Sequence, residues 1–430
     1  MVAPAKNAAQ ELASRMPQAN LARQPILDKQ LRTVGYELLF RGMETDRALF
    51  EDGTRATSTV LTNVLSEFGL ETVVGTLPAW VNFTSQYLLD DLPIPIGPRS
   101  LVIELLPDAE PTDELLERLR ALSKQGYKIA LDDFVYSDKL KPLIEVAQVV
   151  KVNVRDRPVD EVSRQAEAFK NFKVQLLAEK VERVSEYEAC LKLGFTLFQG
   201  HFVCRPELMR QKRPPANRIA LIRLMSELYA AEPKINQIRE LVQLDVTLSY
   251  RLLKWLNSSL FALPHPVESI QQALIMLGIN RLRNLVSLIV LARIDDRPSV
   301  LFETALMRGR IGERVAPHFG LAPDMMFTVG LFSVLDALIG VPMDQVLENM
   351  PLAKDIALAI TQREGPCGML LAGIEAHEKG DWPGVQRAGL DLAVLSPAWV
   401  DALVWVRGVR SMMTSAVAGG PLARKTSQSI

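Results

Sequence analysis

The chain has 430 residues, of which 48% are hydrophobic and 23% are charged, and its formal net charge is −1. This length exceeds what a single hydrophobic core supports, so we expect two or three domains. The composition is that of a soluble globular protein and excludes a largely disordered chain. A net charge near zero provides no general positive field, which argues against nucleic acid or an anionic membrane as a partner.

Three cysteines, Cys190, Cys204 and Cys367, are too few and too scattered for a disulfide framework or a zinc cluster. The first twenty residues lack the apolar core of a signal peptide, and the longest apolar runs are shorter than a membrane span. We therefore expect a cytoplasmic protein with reduced thiols and no membrane partner. Residues 1–20 and 411–430 are predicted to be disordered tails.

Short β-rich runs alternate with amphipathic helical stretches from residue 21 to residue 206. The predicted strands cover residues 21–27, 34–40, 80–83, 101–106, 128–131, 149–152, 174–177 and 196–198. The predicted helices between them include Asp113–Lys124 and residues 185–193. Eight strands that alternate with helices favour an α/β fold, a (β/α)8-type barrel of parallel strands. A doubly wound open sheet is the alternative architecture.

A proline-rich basic stretch, RPELMRQKRPP, ends this alternation, and it predicts a linker over residues 207–216. Residues 217–410 then form an all-α domain, with helices predicted at 217–230, 235–243, 247–258, 269–277 and 280–292 and further helices to about residue 409. No aromatic stacking platform accompanies the basic linker, so we expect no nucleic-acid partner there.

Acidic and amide side chains recur where the predicted strands end, and parallel barrel strands bring their carboxyl ends to one face. A charged residue at such a place is commonly only the solvated end of a strand, but convergence of many favours a site. Carboxylate and amide oxygens are ligands that Mg²⁺ and Mn²⁺ prefer, and two such ions suit phosphodiester hydrolysis. The set comprises Glu37, Asn82, Glu104, Asp132, Asp133, Lys151, Glu179, Glu182 and Gln199.

The segments that carry these residues resemble EAL-domain cyclic-di-GMP phosphodiesterases in order and spacing, over residues 21–206. The segments are YELLFR, VNF, IEL, LDDF, KVN, AEKVE and FQGHFVCRP. The resemblance implies a two-metal site for Mg²⁺ or Mn²⁺ and cyclic-di-GMP as the ligand. The implied ligands of the first metal are Glu37, Asn82, Glu104 and Asp132, and Asp133 would serve the second metal.

The same resemblance implies roles for the remaining residues. Glu179 would be the general base for the attacking water, and Lys151 would act on that water and the phosphate. Leu39 and Arg41 resemble dinucleotide-contacting positions. Glu182 and Gln199 would support the ligand site.

Three departures from the family pattern concern the loop after the aspartate pair. Pro107 stands where a carboxylate is usual, Val135 and Tyr136 replace glycine-rich positions, and Asn153 replaces an aspartate. Glycines permit backbone conformations that Val135 and Tyr136 disfavour. A loose supporting shell commonly lowers metal affinity or activity by about 10–100-fold. We therefore treat the chain as a candidate cyclic-di-GMP-specific phosphodiesterase whose supporting loop is replaced.

The helical half contains the run SYRLLKWLNSSLFALPHPVESIQQALIMLGINRLRNLVSLIVLA, which resembles the core of an HDOD domain, a relative of HD phosphohydrolases. A working HD enzyme needs an adjacent His-Asp pair, yet none of the chain's four histidines precedes an aspartate. Where such an enzyme has that pair, this chain has GLFSV at residues 330–334. The resemblance therefore implies a protein-interaction module, whose partner the sequence does not identify.

Three functions follow. The first is cyclic-di-GMP signal transduction, with a barrel that binds or slowly hydrolyses the dinucleotide. The second is a fully active metal-dependent phosphodiesterase, and the third is a non-catalytic scaffold that binds no nucleotide. Homodimerisation is expected by analogy with EAL proteins.

Overall fold

The structure is a computed structural model that describes residues 20–41, 69–204, 225, 228, 229, 256, 270–291, 298–348 and 352–418. The side chain of Arg41, the predicted linker, and all but isolated positions of the three helices predicted within 217–258 lie outside the described residues. The chain divides into two compact units. The first contains residues 1–208, Pro298–Val300 and Glu375–Pro397, and the second contains the remainder.

The described part of the first unit contains eight strands that close into a barrel in chain order, as predicted. They are β1 (Asn20–Asp28), β2 (Thr33–Arg41), β3 (Ala79–Phe83), β4 (Leu101–Leu105), β5 (Lys128–Leu131), β6 (Val149–Asn153), β7 (Gln175–Val181) and β8 (Leu197–Gly200). The helices between them are α1 (Leu70–Val74), α2 (Ser85–Leu89), α3 (Asp113–Lys124), α4 (Lys141–Val146), α5 (Val159–Phe169) and α6 (Val184–Lys192).

The first strand corrects the prediction of an all-parallel barrel. β1 pairs antiparallel with both β2 and β8, whereas the other neighbouring strands pair in parallel. The connection from β1 to β2 is a tight turn in which Asp28 Oδ1 accepts from the backbone N–H groups of Gln30 and Arg32. A connection this short reverses the chain, whereas a parallel pair needs a crossover of a dozen or more residues.

The barrel interior is apolar at the end where the parallel strands begin. Seven buried inward side chains from seven strands form one cluster there. Successive side chains of a strand point to opposite faces, so the next inward position on each strand is two residues away. The cluster comprises Ile26, Trp80, Val102, Ala130, Val149, Leu177 and Leu197. The packing of this cluster determines which side chains face inward at the next level, toward the carboxyl ends of the parallel strands.

The later described helices follow in chain order. They are α7 (Ile270–Leu291), α8 (Ser299–Val315), α9 (Pro323–Phe332), α10 (Leu335–Ile339), α11 (Met343–Glu348), α12 (Lys354–Thr361), α13 (Gly365–Glu378), α14 (Trp382–Arg387) and α15 (Leu392–Ala418). Gly278 has non-helical backbone angles inside α7 (φ 75°), which matches the predicted break between two helices. The helix α15 continues to Ala418 and so corrects the predicted disordered tail over residues 411–418.

Within the second unit, Asp401 of α15 bridges two arginines of α8. Its carboxylate lies 2.6 Å from Arg310 Nε and 2.6 Å from the Arg314 guanidinium. Burial raises the pKa of Asp401, but the hydrogen bonds from both arginines outweigh it and lower that pKa below its usual value. Among the described residues, Leu392–Ser411 of α15 is long and apolar enough to cross a membrane by length and composition. Half of that stretch is buried inside the protein, as in a core helix.

Candidate active site

Six predicted site residues lie two positions after an apolar residue of the core cluster, on or directly after the same strand. They therefore face the barrel interior, one level above that cluster. The pairs are Trp80 and Asn82, Val102 and Glu104, Ala130 and Asp132, Val149 and Lys151, Leu177 and Glu179, and Leu197 and Gln199. The structure thus brings these six residues together at the carboxyl ends of the parallel strands, and Glu37 of β2 joins them.

Lys151 lies at the centre of this set. Its side chain is fully buried, and its Nζ lies 2.7 Å from Asp132 Oδ1, 3.0 Å from Glu104 Oε1 and 3.2 Å from Glu37 Oε2. Asn82 Nδ2 lies 3.5 Å from the other oxygen of Glu37. Three carboxylates from three strands therefore converge on one ammonium group.

The charges of this cluster do not balance. Burial raises the pKa of Glu104 well above its usual value, and the negative charge of Glu37 adds to the effect. Burial also raises the pKa of Glu179 to about 7. Burial alone would lower the pKa of Lys151, but the carboxylates around it, Glu104 foremost, raise it well above its usual value. A single ammonium is outnumbered by four buried or half-buried carboxyl groups.

The donor set fits a hard divalent cation. Buried acceptor oxygens of the site that have no hydrogen-bond donor among the described residues include Glu104 Oε2, Glu179 Oε2 and Gln199 Oε1. Buried carboxylates are costly unless paired or bound to a metal. Within the described part of the chain, no group of three His, Cys, Asp or Glu side chains has the spacing of a coordination sphere. Three of the carboxylates are arranged around the ammonium of Lys151 instead.

A bulge in β7 sets the position of Glu179. The pairing of β7 with β8 shifts register between Ala178 and Val181, and Lys180 within it has a left-handed backbone (φ 58°). Gly200 packs so closely on Val181 that a Cβ would overlap the backbone there. Alternation along β7 points Glu179 inward, and the bulge beside it leaves Lys180 near the rim.

Two charged groups of the rim lie near each other at the mouth of the site. Lys180 Nζ is 3.7 Å from Asp133 Oδ2 and 3.8 Å from Glu179 Oε1. Asp133 also has a left-handed backbone (φ 42°). Such conformations cost free energy in non-glycine residues and occur at functional sites. Asp133 was among the residues predicted from the sequence, whereas Lys180 was not. The sequence indicates Lys180 only by its position between two predicted site glutamates.

Aromatic contacts hold the loop that follows Asp133. The ring of Tyr136 meets Phe169 edge-on with centroids 5.9 Å apart and lies 6.2 Å from Phe172. The ring of Phe134 is buried with its centroid 6.3 Å from that of Phe169. The backbone N–H of Phe134 donates to the carbonyl oxygen of Lys151. These contacts replace the glycine-rich pattern with side-chain packing onto α5.

A second residue missed from the sequence is Gln24 of β1. Because β1 is antiparallel, its inward position at the polar level comes two residues before Ile26 rather than two after it. Gln24 pairs directly opposite Glu37. Gln199 Nε2 donates to Glu37 Oε2 at 2.6 Å and to Gln24 Oε1 at 2.8 Å. Once the direction of β1 is known, the alternation of side chains along the strand is enough to predict that Gln24 faces the interior.

The remaining predicted residues lie at the edge of the site. Glu182 is half-exposed, with one oxygen 3.5 Å from Arg155, and it does not join the central cluster. Leu39 of β2 is partly buried, and its Cδ1 lies 2.9 Å from where a Cβ on Gly380 would be. Asn153 Oδ1 accepts from the backbone N–H of Arg155, so it closes a turn at the end of β6.

In the second unit, the place of the missing His-Asp pair is filled by a buried serine that contacts a buried arginine. Ser333 is buried, donates to the carbonyl oxygen of Gly330 at 2.7 Å and accepts from Arg308 at 3.1 Å. His318 is exposed, whereas His377, which belongs to the first unit, is buried at 1% exposure. Burial lowers the pKa of His377 to about 4, which keeps the imidazole neutral.

Comparison with known proteins matches two family models to this chain: the EAL domain over residues 9–206 and the HDOD domain over residues 215–349. A search of solved structures finds the PaMucR phosphodiesterase in a c-di-GMP complex, with 21% identity and a TM-score of 0.34. That match covers 44% of this chain and 96% of the other.

Two relatives match nearly the whole chain. The cyclic di-GMP phosphodiesterase CdgJ of Vibrio cholerae is 33% identical over 403 residues, which covers 91% of this chain and 93% of the relative. The protein YuxH of Bacillus subtilis is 28% identical over 397 residues, covering 90% and 97%. The order of the two domains and the polar level of the barrel lead to one conclusion: this chain belongs to the family of two-domain signalling proteins in which an EAL domain is followed by an HDOD domain.

Proposed function

We propose that this chain is a cytoplasmic cyclic-di-GMP signal transduction protein whose barrel binds cyclic-di-GMP and hydrolyses it slowly. The observation that carries the proposal is the buried polar level around Lys151, where Glu104 Oε2 and Glu179 Oε2 have no donor among the described residues. Such a cluster is expensive for a protein that binds nothing. Its position at the carboxyl ends of barrel strands is where such folds bind ligands.

The proposed metal ligands are Glu37, Asn82, Glu104 and Asp132 for one Mg²⁺ or Mn²⁺ ion, with Asp133 for a second. When bound, such ions stabilise the developing charge of the phosphodiester and lower the pKa of a bound water. The chain supplies oxygen ligands only, which is the donor chemistry these ions prefer.

Glu179 and Lys151 are the proposed catalytic residues. A carboxyl group with its pKa near 7 is suited to accept the proton of an attacking water near neutral pH. Lys151 remains charged and lies where it can face a phosphate oxygen. Leu39 and Arg41 are proposed to contact the dinucleotide, and Gln199 and Glu182 to support it.

A fully active phosphodiesterase is the second candidate, and the packing of the replaced loop favours it. Tyr136 and Phe134 fix that loop on α5 through aromatic contacts. A loop held in this way keeps Asp132 and Asp133 in place without the glycines of the family pattern. The name of the relative CdgJ supports the same candidate.

The second unit is proposed to bind a protein partner. Its best candidate for a hydrolytic site carries Ser333, whose hydroxyl donates to the carbonyl oxygen of Gly330, rather than a metal-binding His-Asp pair. A helical module of this kind suits grooves for partner helices. We also propose that the protein forms homodimers.

The test is isothermal titration of the full-length protein with cyclic-di-GMP, first in Ca²⁺ and then in Mn²⁺, with product analysis of the Mn²⁺ sample. We expect binding in both and slow formation of the linear dinucleotide in Mn²⁺. Glu179→Gln is expected to bind and to lose turnover, while the exposed Glu114→Gln serves as the matched control. Rapid turnover would select the fully active enzyme, and no binding in either metal would leave a scaffold without nucleotide.

A further inference from the structure

A chain of side-chain amides leads out of the polar level of the barrel. Gln199 Nε2 contacts Glu37 Oε2 at 2.6 Å and Gln24 Oε1 at 2.8 Å. Gln24 Nε2 in turn donates to the carbonyl oxygen of Glu378 at 3.3 Å. The last residue of α13 is thus connected to a proposed metal ligand through two glutamines.

The acceptor Glu378 lies in a segment that neither family model covers, since the matches end at residues 206 and 349. Nevertheless, Glu375–Pro397 belongs to the same compact unit as the barrel. Two further contacts tie this segment to β1 and β2. The imidazole of His377 lies near the backbone of Leu21, and Gly380, with a left-handed backbone, packs against Leu39.

The two ends of the amide chain define its direction. A carboxylate and a backbone carbonyl can only accept hydrogen bonds, whereas each glutamine amide has one donor end and one acceptor end. With Glu378 as acceptor, the Gln24 nitrogen faces outward and its oxygen faces Gln199. Gln199 must then turn its nitrogen toward Glu37 and Gln24. Without Glu378, Gln24 loses the acceptor that holds its nitrogen outward, and its oxygen is held toward Gln199 by that one contact alone.

We propose that Gln24 is a positioning residue, and that the segment Glu375–Pro397 sets its orientation through the Glu378 carbonyl. Gln24 holds Gln199, and Gln199 holds Glu37 in the rotamer that faces the metal site. This inference rests on the proposed function, because it assigns Gln24 a role toward the divalent cation. Outer partners that orient metal ligands typically change metal affinity by about 10–100-fold.

The primary test is Mn²⁺ binding to the full-length protein by isothermal titration, for the wild type, Gln24→Leu and the exposed control Gln175→Leu. We expect Gln24→Leu to weaken Mn²⁺ binding by about 10–100-fold and Gln175→Leu to leave it within about twofold. Gln24→Glu keeps the acceptor toward Gln199 but presents a second acceptor to Glu378, so it is expected to restore the affinity only in part. An unchanged affinity in Gln24→Leu would overturn the inference.

A second measurement needs no variant and remains decisive if Gln24→Leu fails to fold. Coupling between two sites is reciprocal, so Mn²⁺ binding to the wild type is expected to slow amide hydrogen exchange within Glu375–Pro397. Bound Mn²⁺ with unchanged exchange in that segment would overturn the inference and leave the proposed function intact. Absence of Mn²⁺ binding by the wild type would overturn the proposed function, and this inference with it.

Discussion

The ammonium nitrogen of Lys151 and the Oδ1 atom of Asp132 lie 2.7 Å apart at the centre of the barrel's polar level. This is the shortest of three ion pairs that Lys151 makes with carboxylates of the site. The lysine therefore offsets part of the negative charge that a divalent cation would otherwise balance alone. The stability of the barrel and its metal affinity are thereby linked.

Replacing Lys151 with methionine is expected to destabilise the protein in the absence of divalent metal. The variant leaves buried carboxylates without their partner, a change that costs about 3–5 kcal/mol for buried pairs. Ca²⁺ should restore part of the loss, because it supplies the missing positive charge. Urea unfolding with and without Ca²⁺ measures both effects. The exposed Lys128→Met on β5 is the control, and equal stability of both variants without metal would contradict the prediction.

His377→Gln is expected to remove a pH dependence of stability. The folded pKa of about 4 lies below the usual value of 6.5, so the unfolded chain binds a proton first as the pH falls. Wild-type stability should therefore be intact above pH 6.5 and fall between pH 6.5 and pH 4, by about 3 kcal/mol in total. The measurement is the unfolding midpoint of both proteins from pH 8 to about pH 4. Parallel curves for the two proteins would refute the role of this histidine.

Gly200→Ala is expected to cost about 3 kcal/mol or more. Its backbone has φ 147° and a Cβ would overlap the Val181 backbone, so the bulge beside Glu179 must shift. Thermal unfolding checks the loss, and titration with cyclic-di-GMP checks the effect on the site. Gly97→Ala is the control because no atom lies within 4 Å of its added Cβ. A Gly200→Ala protein as stable as Gly97→Ala would show that this close approach is unimportant.

Tyr136→Ala is expected to loosen the loop that carries Asp133. The variant removes two ring contacts with Phe169 and Phe172, which together contribute on the order of 1 kcal/mol beyond area burial. Local opening should then make the Phe134 amide exchange roughly fivefold faster. Tyr136→Phe keeps the rings and should exchange at the wild-type rate. If both variants exchange like the wild type, the aromatic contacts do not hold this loop.

The alternation of buried and polar residues made most of the barrel predictable. A pair such as Leu177 and Glu179 shows which side chains face the interior. Six strands have this two-residue spacing, and β1 has it in the reverse direction. The direction of β1 was not predictable from strand count alone, because the tight turn after Asp28 decides it. That single error concealed Gln24, whose inward position is counted backwards along an antiparallel strand.

Other features carry no local signal in the sequence. Gln24 and Glu378 are 354 residues apart, and neither the period of α13 nor the composition of its end indicates what lies against it. The left-handed backbone of Lys180 is likewise set by the register shift between β7 and β8. Such relationships depend on the closed fold rather than on neighbouring residues.

Glu375–Pro397 belongs to the same compact unit as the barrel, which constrains how EAL and HDOD domains of different relatives can be recombined. A chimera that joins the EAL domain of one relative to the HDOD domain of another would also exchange the residues that meet Leu21, Gln24 and Leu39. A compatible chimera therefore keeps Glu375–Pro397 from the same relative as its EAL domain. Among related proteins, substitutions on β1 and near His377 should therefore be correlated.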